Sequence, residues 1–426
     1  MRVVKSGTAK GRALISELVN RGSATRSSVN PAVRKIVKQV RTRGDLALKK
    51  YVMKWDGLES RQSLLVSEAE MQSAWDTVSA NAPGLCRALK TAAGNIRKFC
   101  EWQKPEEWQR ELQPGVRVGQ VIRPLDSVGC YVPGGRHPLP STLLMTVIPA
   151  QVAGIPNIAV ASPKPVVETL AAAAMLGVKT FYRMGGAQAI AAFAYGTKTV
   201  SRVQKIVGPG NLYVTGAKEL VSATGDCSID MLAGPTEILI VSETGNPAFI
   251  AADLVAQAEH DPDARSIFVT ASEGLANSVV AEIKRQAAAN DVAKLSLKKN
   301  GAVIIARSHQ EALGIANQIA AEHLTVERDD VAKISAAGSI FVGDYSAQSL
   351  GDYASGPNHV LPTDGVARFR GGLSVSDFVK MISIQEVSLQ GLRSLAPTVT
   401  CLAEAEGLKA HAASVRLRAE TQAANA

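Results

Sequence analysis

The sequence predicts an α/β protein with two parallel-sheet blocks, entered through a helical N-terminal quarter and left through a helical, polar tail. Three observations carry that expectation. From about residue 127 short apolar runs alternate with alanine-rich helical runs, the alternation resumes from Glu237, and the links between runs are brief. Strand–helix alternation with short links is the pattern of parallel layers covered by helices.

Taken in chain order, Val33, Ile36, Val37 and Val40 follow the spacing of one apolar helix face. Asn30-Pro31 supplies its cap and first-turn proline, and Gly44 its stop. A second helical stretch, Glu68 to Gln103, leads to the turn signal Gln113-Pro114-Gly115. In the first block Ile158–Val160, Thr180–Arg183 and Val203–Val207 read as strands, with helices over Val166–Leu176 and Gln188–Tyr195. In the second block Glu237–Val241, Ser266–Thr270, Ala302–Ala306 and Ser339–Val342 read as strands. The last fifty residues read as helical.

Bulk properties exclude several classes. A chain of 426 residues has room for two or three domains, and 46% hydrophobic with 20% charged residues is ordinary for a globular protein. The N-terminus lacks the apolar core of a signal peptide, and runs such as Ala171–Val178 are too short to span a bilayer, so a cytoplasmic protein without a membrane partner is expected. Five dispersed cysteines without a C-x-x-C pair read as buried free thiols. The net charge of +9 is interleaved with acids and forms no long basic block. That pattern suits an anionic substrate or cofactor better than nucleic acid.

Four segments concentrate the reactive side chains, and four of the six histidines lie in them. Asn246-Pro247 starts a helix that brings Gln257 and His260 to one face, one turn apart. The two could share a metal, or form a polar helix end with an imidazole at the negative pole of the dipole. Glu322-His323 could be a general acid/base pair, but only in a turn or at a helix end, since neighbours on an extended segment point apart; a plain surface pair is the alternative. The loop from Gly351 through Asp352 to His359 is either a site loop or a plain turn. His411, near Glu406, reads as a solvated helical histidine, and the sequence around His137 and His309 gives neither a convincing acidic partner, so neither is assigned a role. The glycine-rich turns Tyr131–Gly135, Gly185–Gln188 and Gly208–Asn211 suit an anionic ligand or a tight turn, and none fits the G-x-G-x-x-G dinucleotide fingerprint.

Together these segments resemble the histidinol dehydrogenase family over about residues 30 to 418. The resemblance rests on Gly129-Cys-Tyr-Val-Pro-Gly-Gly135, Pro138-Leu-Pro-Ser-Thr142, Gly185-Gly-Ala-Gln-Ala-Ile190 and Val207-Gly-Pro-Gly-Asn211. It continues through Asp230-Met-Leu-Ala-Gly-Pro-Thr-Glu237, Ala256-Gln-Ala-Glu-His-Asp-Pro262, Ala321-Glu-His-Leu324, Gly351 to Pro362, and the tail around His411.

That resemblance implies two incomplete Rossmann-like parallel-sheet domains with small helical N- and C-terminal dimerisation segments. Its boundaries are an N-terminal helical segment (1–25), a discontinuous domain with the metal and catalytic residues (26–126 plus 236–372), an NAD-contacting domain (127–235) and a C-terminal helical segment (373–426). It implies NAD-dependent, four-electron oxidation of L-histidinol to L-histidine through the aldehyde. One zinc per subunit would be held by Gln257, His260, Asp352 and His411, and proton transfer would fall to Glu322 and His323. Substrate would also meet Thr236, His359 and Glu406, and NAD would meet Tyr131, Gln188 and Asn211. A homodimer is implied, with the C-terminal segment reaching the partner's site. The family's usual serine is Thr236 here, which keeps the hydroxyl and adds a methyl. A related zinc/NAD alcohol dehydrogenase for another polar carbinol, and a zinc hydrolase, are the competing readings.

Overall fold

The protein is described by a computed structural model covering residues 1–21, 30–134 and 139–420. His137, with Gly135 and Pro138 of the quoted motifs, lies outside the described residues. The chain divides into two compact units, Met1–Gln103 with Asp126–Phe378, and Lys104–Leu125 with Val379–Ala426.

The first unit holds two six-stranded sheets. One runs in the order Arg2–Lys5, Ala302–Ile305, Arg265–Thr270, Glu237–Val241, His323–Val326, Ser339–Val342, with every pair parallel. Its central strand shows why it forms. Glu237–Val241 is buried along its whole length, as a strand covered on both faces must be. Leu239 and Val241 pack with Leu14, Leu18, Leu313 and Ile319 on one side, while Ile238 and Ile240 pack with Ile250, Leu254 and Val279 on the other. Side chains that alternate along a strand thus feed two cores.

The other sheet runs Leu65–Val66, Thr180–Tyr182, Asn157–Ala161, Ser127–Tyr131, Lys205–Val207, Ser228–Ile229. All its pairs are parallel except Leu65–Val66 with Thr180–Tyr182. The helix Pro31–Arg43 is capped by Asn30 and stops at Gly44 with φ +53°, as its sequence predicts. Its apolar stripe Val33, Ile36, Val37, Val40 packs against Ala187, Ile190 and Ala191. The pairings therefore group residues differently from the expected boundaries. Residues 31–66 attach to the layer of 127–235 rather than to that of 236–372, and the N-terminus adds a strand to the latter. Both strands are too short to carry a readable period.

The second unit is built on an antiparallel sheet, Val379–Val387, Val116–Pro124, Trp108–Gln113. The turn at Gln113-Pro114-Gly115 joins two of its strands, with Gly115 at φ +78°. The tail is thus not helical from 373. A nine-residue strand precedes the helices Leu389–Ala405 and Lys409–Glu420. Among the described residues no helix is long and apolar enough to cross a membrane.

Candidate active site

The site grows from the N-terminal ends of two neighbouring strands in the all-parallel sheet. Ile238 pairs with His323, so Thr236 and Glu237 at the head of one strand stand beside Glu322 and His323 at the head of the next. The expected turn or helix end for the Glu322-His323 pair is replaced by a strand start. Ala320, in the left-handed region at φ +52°, turns the chain out of helix His309–Ile319 just before it. Both side chains end up buried, with Glu322 Oε2 3.7 Å from His323 Nδ1.

Glu322 is held on one oxygen. Its Oε2 accepts the Thr236 hydroxyl at 2.5 Å and the Glu237 N–H at 2.8 Å. Burial dominates its titration and pushes the carboxyl up to about 7, against the pull of His323 and these bonds. His323 presents Nδ1 to the Glu237 carbonyl at 3.1 Å, and its Nε2 lies 3.6 Å from Asp352 Oδ1 and 3.4 Å from Gln348 Nε2. Burial disfavours the imidazolium, but Glu322 and Asp352 outweigh it and push His323 up to about 9. For Asp352 burial likewise works against the charge, and His323 overcomes it to hold the carboxyl below its ordinary range.

The helix Pro247–His260, capped by Asn246 as expected, delivers Gln257 and His260. Gln257 is fully buried; its Nε2 donates to Thr236 Oγ1 at 2.5 Å, and its Oε1 has no hydrogen-bond partner. A buried carboxamide oxygen left unpaired is costly unless something else occupies its lone pairs. Thr236 therefore bridges Gln257 and Glu322 through the hydroxyl it shares with serine. His359 anchors Nδ1 on the Asp352 carbonyl at 2.8 Å and faces Thr142 Oγ1 at 3.3 Å through Nε2, and burial holds it below the ordinary imidazole range.

Thr236, Gln257, His260, Glu322, His323, Asp352 and His359 all line one cavity of about 240 Å³. Among the described residues no group of three or more His, Cys, Asp or Glu side chains is spaced to hold a metal. A metal here needs the mixed set of carboxamide, carboxylate and imidazole, and the free Gln257 oxygen fits that need. Glu406 and His411 belong to the second unit, where both are exposed, at the end of helix Leu389–Ala405 and on helix Lys409–Glu420.

Tyr131, Gln188 and Asn211 line a larger cavity of about 710 Å³, which shares Leu139 with the first. The amides of the Gly185-Gly186 turn point inward: Gly185 N–H donates to Asp56 Oδ2 at 2.9 Å and Gly186 N–H to the Tyr131 hydroxyl at 3.1 Å. Both amides are thus taken by side chains of the protein, and among the described residues Lys164 is the cation that lines the cavity. Asp56, which also accepts from Gln188 Nε2 at 3.1 Å, was not foreseen; the Asp-Gly pair at 56–57 is the only local signal. Gln348, which donates to Asp352 Oδ2 at 2.7 Å, carries no sequence signal.

Paired parallel layers, with a buried acid–imidazole cavity beside a larger one, are the arrangement of an α/β enzyme. A family model described as histidinol dehydrogenase matches residues 19–419. The histidinol dehydrogenase of Methanosarcina mazei is 47% identical over 420 residues, covering 95% of each chain. That of Vibrio parahaemolyticus is 45% identical over 403 residues, 92% of this chain and 93% of that one. The crystal structure of histidinol dehydrogenase from Elizabethkingia anophelis superposes with a TM-score of 0.91 at 34% identity, covering 98% of both chains. The chain belongs to the histidinol dehydrogenase family.

Proposed function

We propose that the protein oxidises L-histidinol to L-histidine through L-histidinaldehyde, reducing two NAD per turnover. The observation that carries this reading is the Thr236 bridge, which sets Glu322 and the unpaired Gln257 oxygen in one cavity beside His323. Zinc held by Gln257, His260, Asp352 and His411 of the partner subunit would grip the substrate's nitrogens, and NAD in the larger cavity would accept hydride.

His323 takes the hydroxyl proton through Nε2, because the Glu237 carbonyl occupies Nδ1. With a metal drawing on its charge, Asp352 would pull less on the His323 proton, leaving Glu322 as the main group that favours the imidazolium. Glu322, ionising near neutrality, takes a proton from the water that hydrates the aldehyde. Thr236, His359 and Glu406 orient substrate, while Tyr131, Gln188 and Asn211 border the cosubstrate.

A homodimer completes the site in this reading. On the second unit Met381, Ile382, Val387, Leu402 and Leu417 are exposed apolar side chains, which a second copy could cover. A cytoplasmic setting suits the five free cysteines, although Cys401, unlike the other four, is exposed rather than buried.

The test is NADH formation from histidinol, with and without chelator, by wild type and His260→Ala. Turnover that needs metal and is lost in the variant is expected. Unchanged activity in the variant would overturn the zinc assignment.

A further inference from the structure

A carboxylate without solvent exposure must be paired, and the way Glu237 is paired reaches into the site. Arg21 grips it with Nε and Nη2, and Arg265 Nη1 adds a bond at 3.0 Å. The same Arg21 guanidinium donates to Leu18 O at 2.5 Å and to Ile319 O at 2.8 Å. Arg265 continues to Asp364 Oδ1 at 2.8 Å, and Gly234 packs so close to Asp364 that a Cβ there would meet Oδ2 at 2.1 Å.

Two chain segments are thereby tied to one side chain. Ile319 ends the helix just before Glu322-His323, and Glu237 follows Thr236. The main chain of Glu237 in turn bonds both members of the pair, its N–H to Glu322 Oε2 and its carbonyl to His323 Nδ1. A buried ion pair is a weak stabiliser compared with apolar residues of the same volume, but its forked geometry is directional.

We propose that Arg21 and Glu237 are positioning residues, which fix the Thr236–Glu237 main chain against Glu322-His323 so that acid and base keep their register. Neither side chain lines the substrate cavity, so their effect is exerted through the main chain. The inference rests on the dehydrogenase reading above and adds residues to which that reading gives no role.

The test compares wild type, Glu237→Gln, Arg21→Lys and the apolar double variant Arg21→Met/Glu237→Leu in steady-state NADH formation from histidinol, with melting temperature and zinc content measured alongside. The expected result is a kcat lower by about 10- to 100-fold in Glu237→Gln and in the double variant, since small misplacements of reacting groups cost that much. The histidinol KM and zinc content stay near wild type, the double variant stays folded, and Arg21→Lys recovers part of kcat. A folded double variant with wild-type kcat overturns the proposal. So does loss of kcat, KM and zinc together in step with melting temperature, or failure of both Glu237 variants to fold, since each marks a purely structural role. If wild type itself fails to reduce NAD with histidinol, it is the functional reading that falls.

Discussion

The main-chain carbonyl of Glu237 lies 3.1 Å from His323 Nδ1. A carbonyl only accepts, so Nδ1 carries hydrogen and Nε2, on the side of Asp352, holds the lone pair when the ring is neutral. Replacing His323 with leucine should lower kcat by about 10²- to 10⁴-fold, the usual contribution of a positioned base. Zinc content should change little. Steady-state kinetics with metal analysis checks both.

Thr236 joins Gln257 to Glu322 through its hydroxyl. Thr236→Val keeps the volume and removes the bridge, leaving two buried polar groups short of a partner. It should lower kcat/KM by at least about tenfold, given about 1–3 kcal/mol for each unsatisfied group. Thr236→Ser should stay near wild type. A fully active valine variant would remove the hydroxyl from the site's working parts.

Gln257 Oε1 is buried without a partner. If it is a metal ligand, Gln257→Ala should weaken zinc retention by at least about tenfold, measured by competition with a chelator. Retention equal to wild type would contradict that assignment.

The titration of Glu322 has a defined sign. Its folded-state pKa of about 7 lies above the ordinary 4.5, so its contribution to stability is present in full below pH 4.5 and is lost as pH rises through about 7. In metal-free protein, the stability of wild type minus that of Glu322→Gln should therefore decline over that window. His323, pushed up to about 9 partly by Glu322, extends the decline to higher pH. Denaturant unfolding at a series of pH values checks it, and a rising difference would contradict it.

Long apolar runs were readable because their burial is written into their period. Glu237–Val241 and Ser339–Val342 have the expected bounds, and Asn246 and Asn30 cap as expected. The strands Leu65–Val66 and Arg2–Lys5 were not, since their pairing comes from tertiary contact. Within the site, the segments holding Gln257, His260, Asp352 and His359 stood out in the sequence, but only the family's motifs assigned their roles, and composition alone would not have picked Gln257 as a ligand. Glu237 sat inside a quoted motif without a role, although a charge heading a fully apolar run was a signal. The sequence singled out no acidic partner for His309, whose nearest acid is Glu311, yet the fold gives it two others, Glu243 Oε1 at 3.2 Å and Asp330 Oδ2 at 2.7 Å. These groups follow strands Glu237–Val241, Ala302–Ile305 and His323–Val326, which are distant in sequence but parallel members of one sheet.

The most direct measurement is stoichiometric. A limiting amount of histidinol, excess NAD and the metal-loaded protein should give two NADH for each histidinol consumed, with histidine as product. One NADH per histidinol, with the aldehyde accumulating, would contradict a site in which His323 and Glu322 serve two successive oxidations.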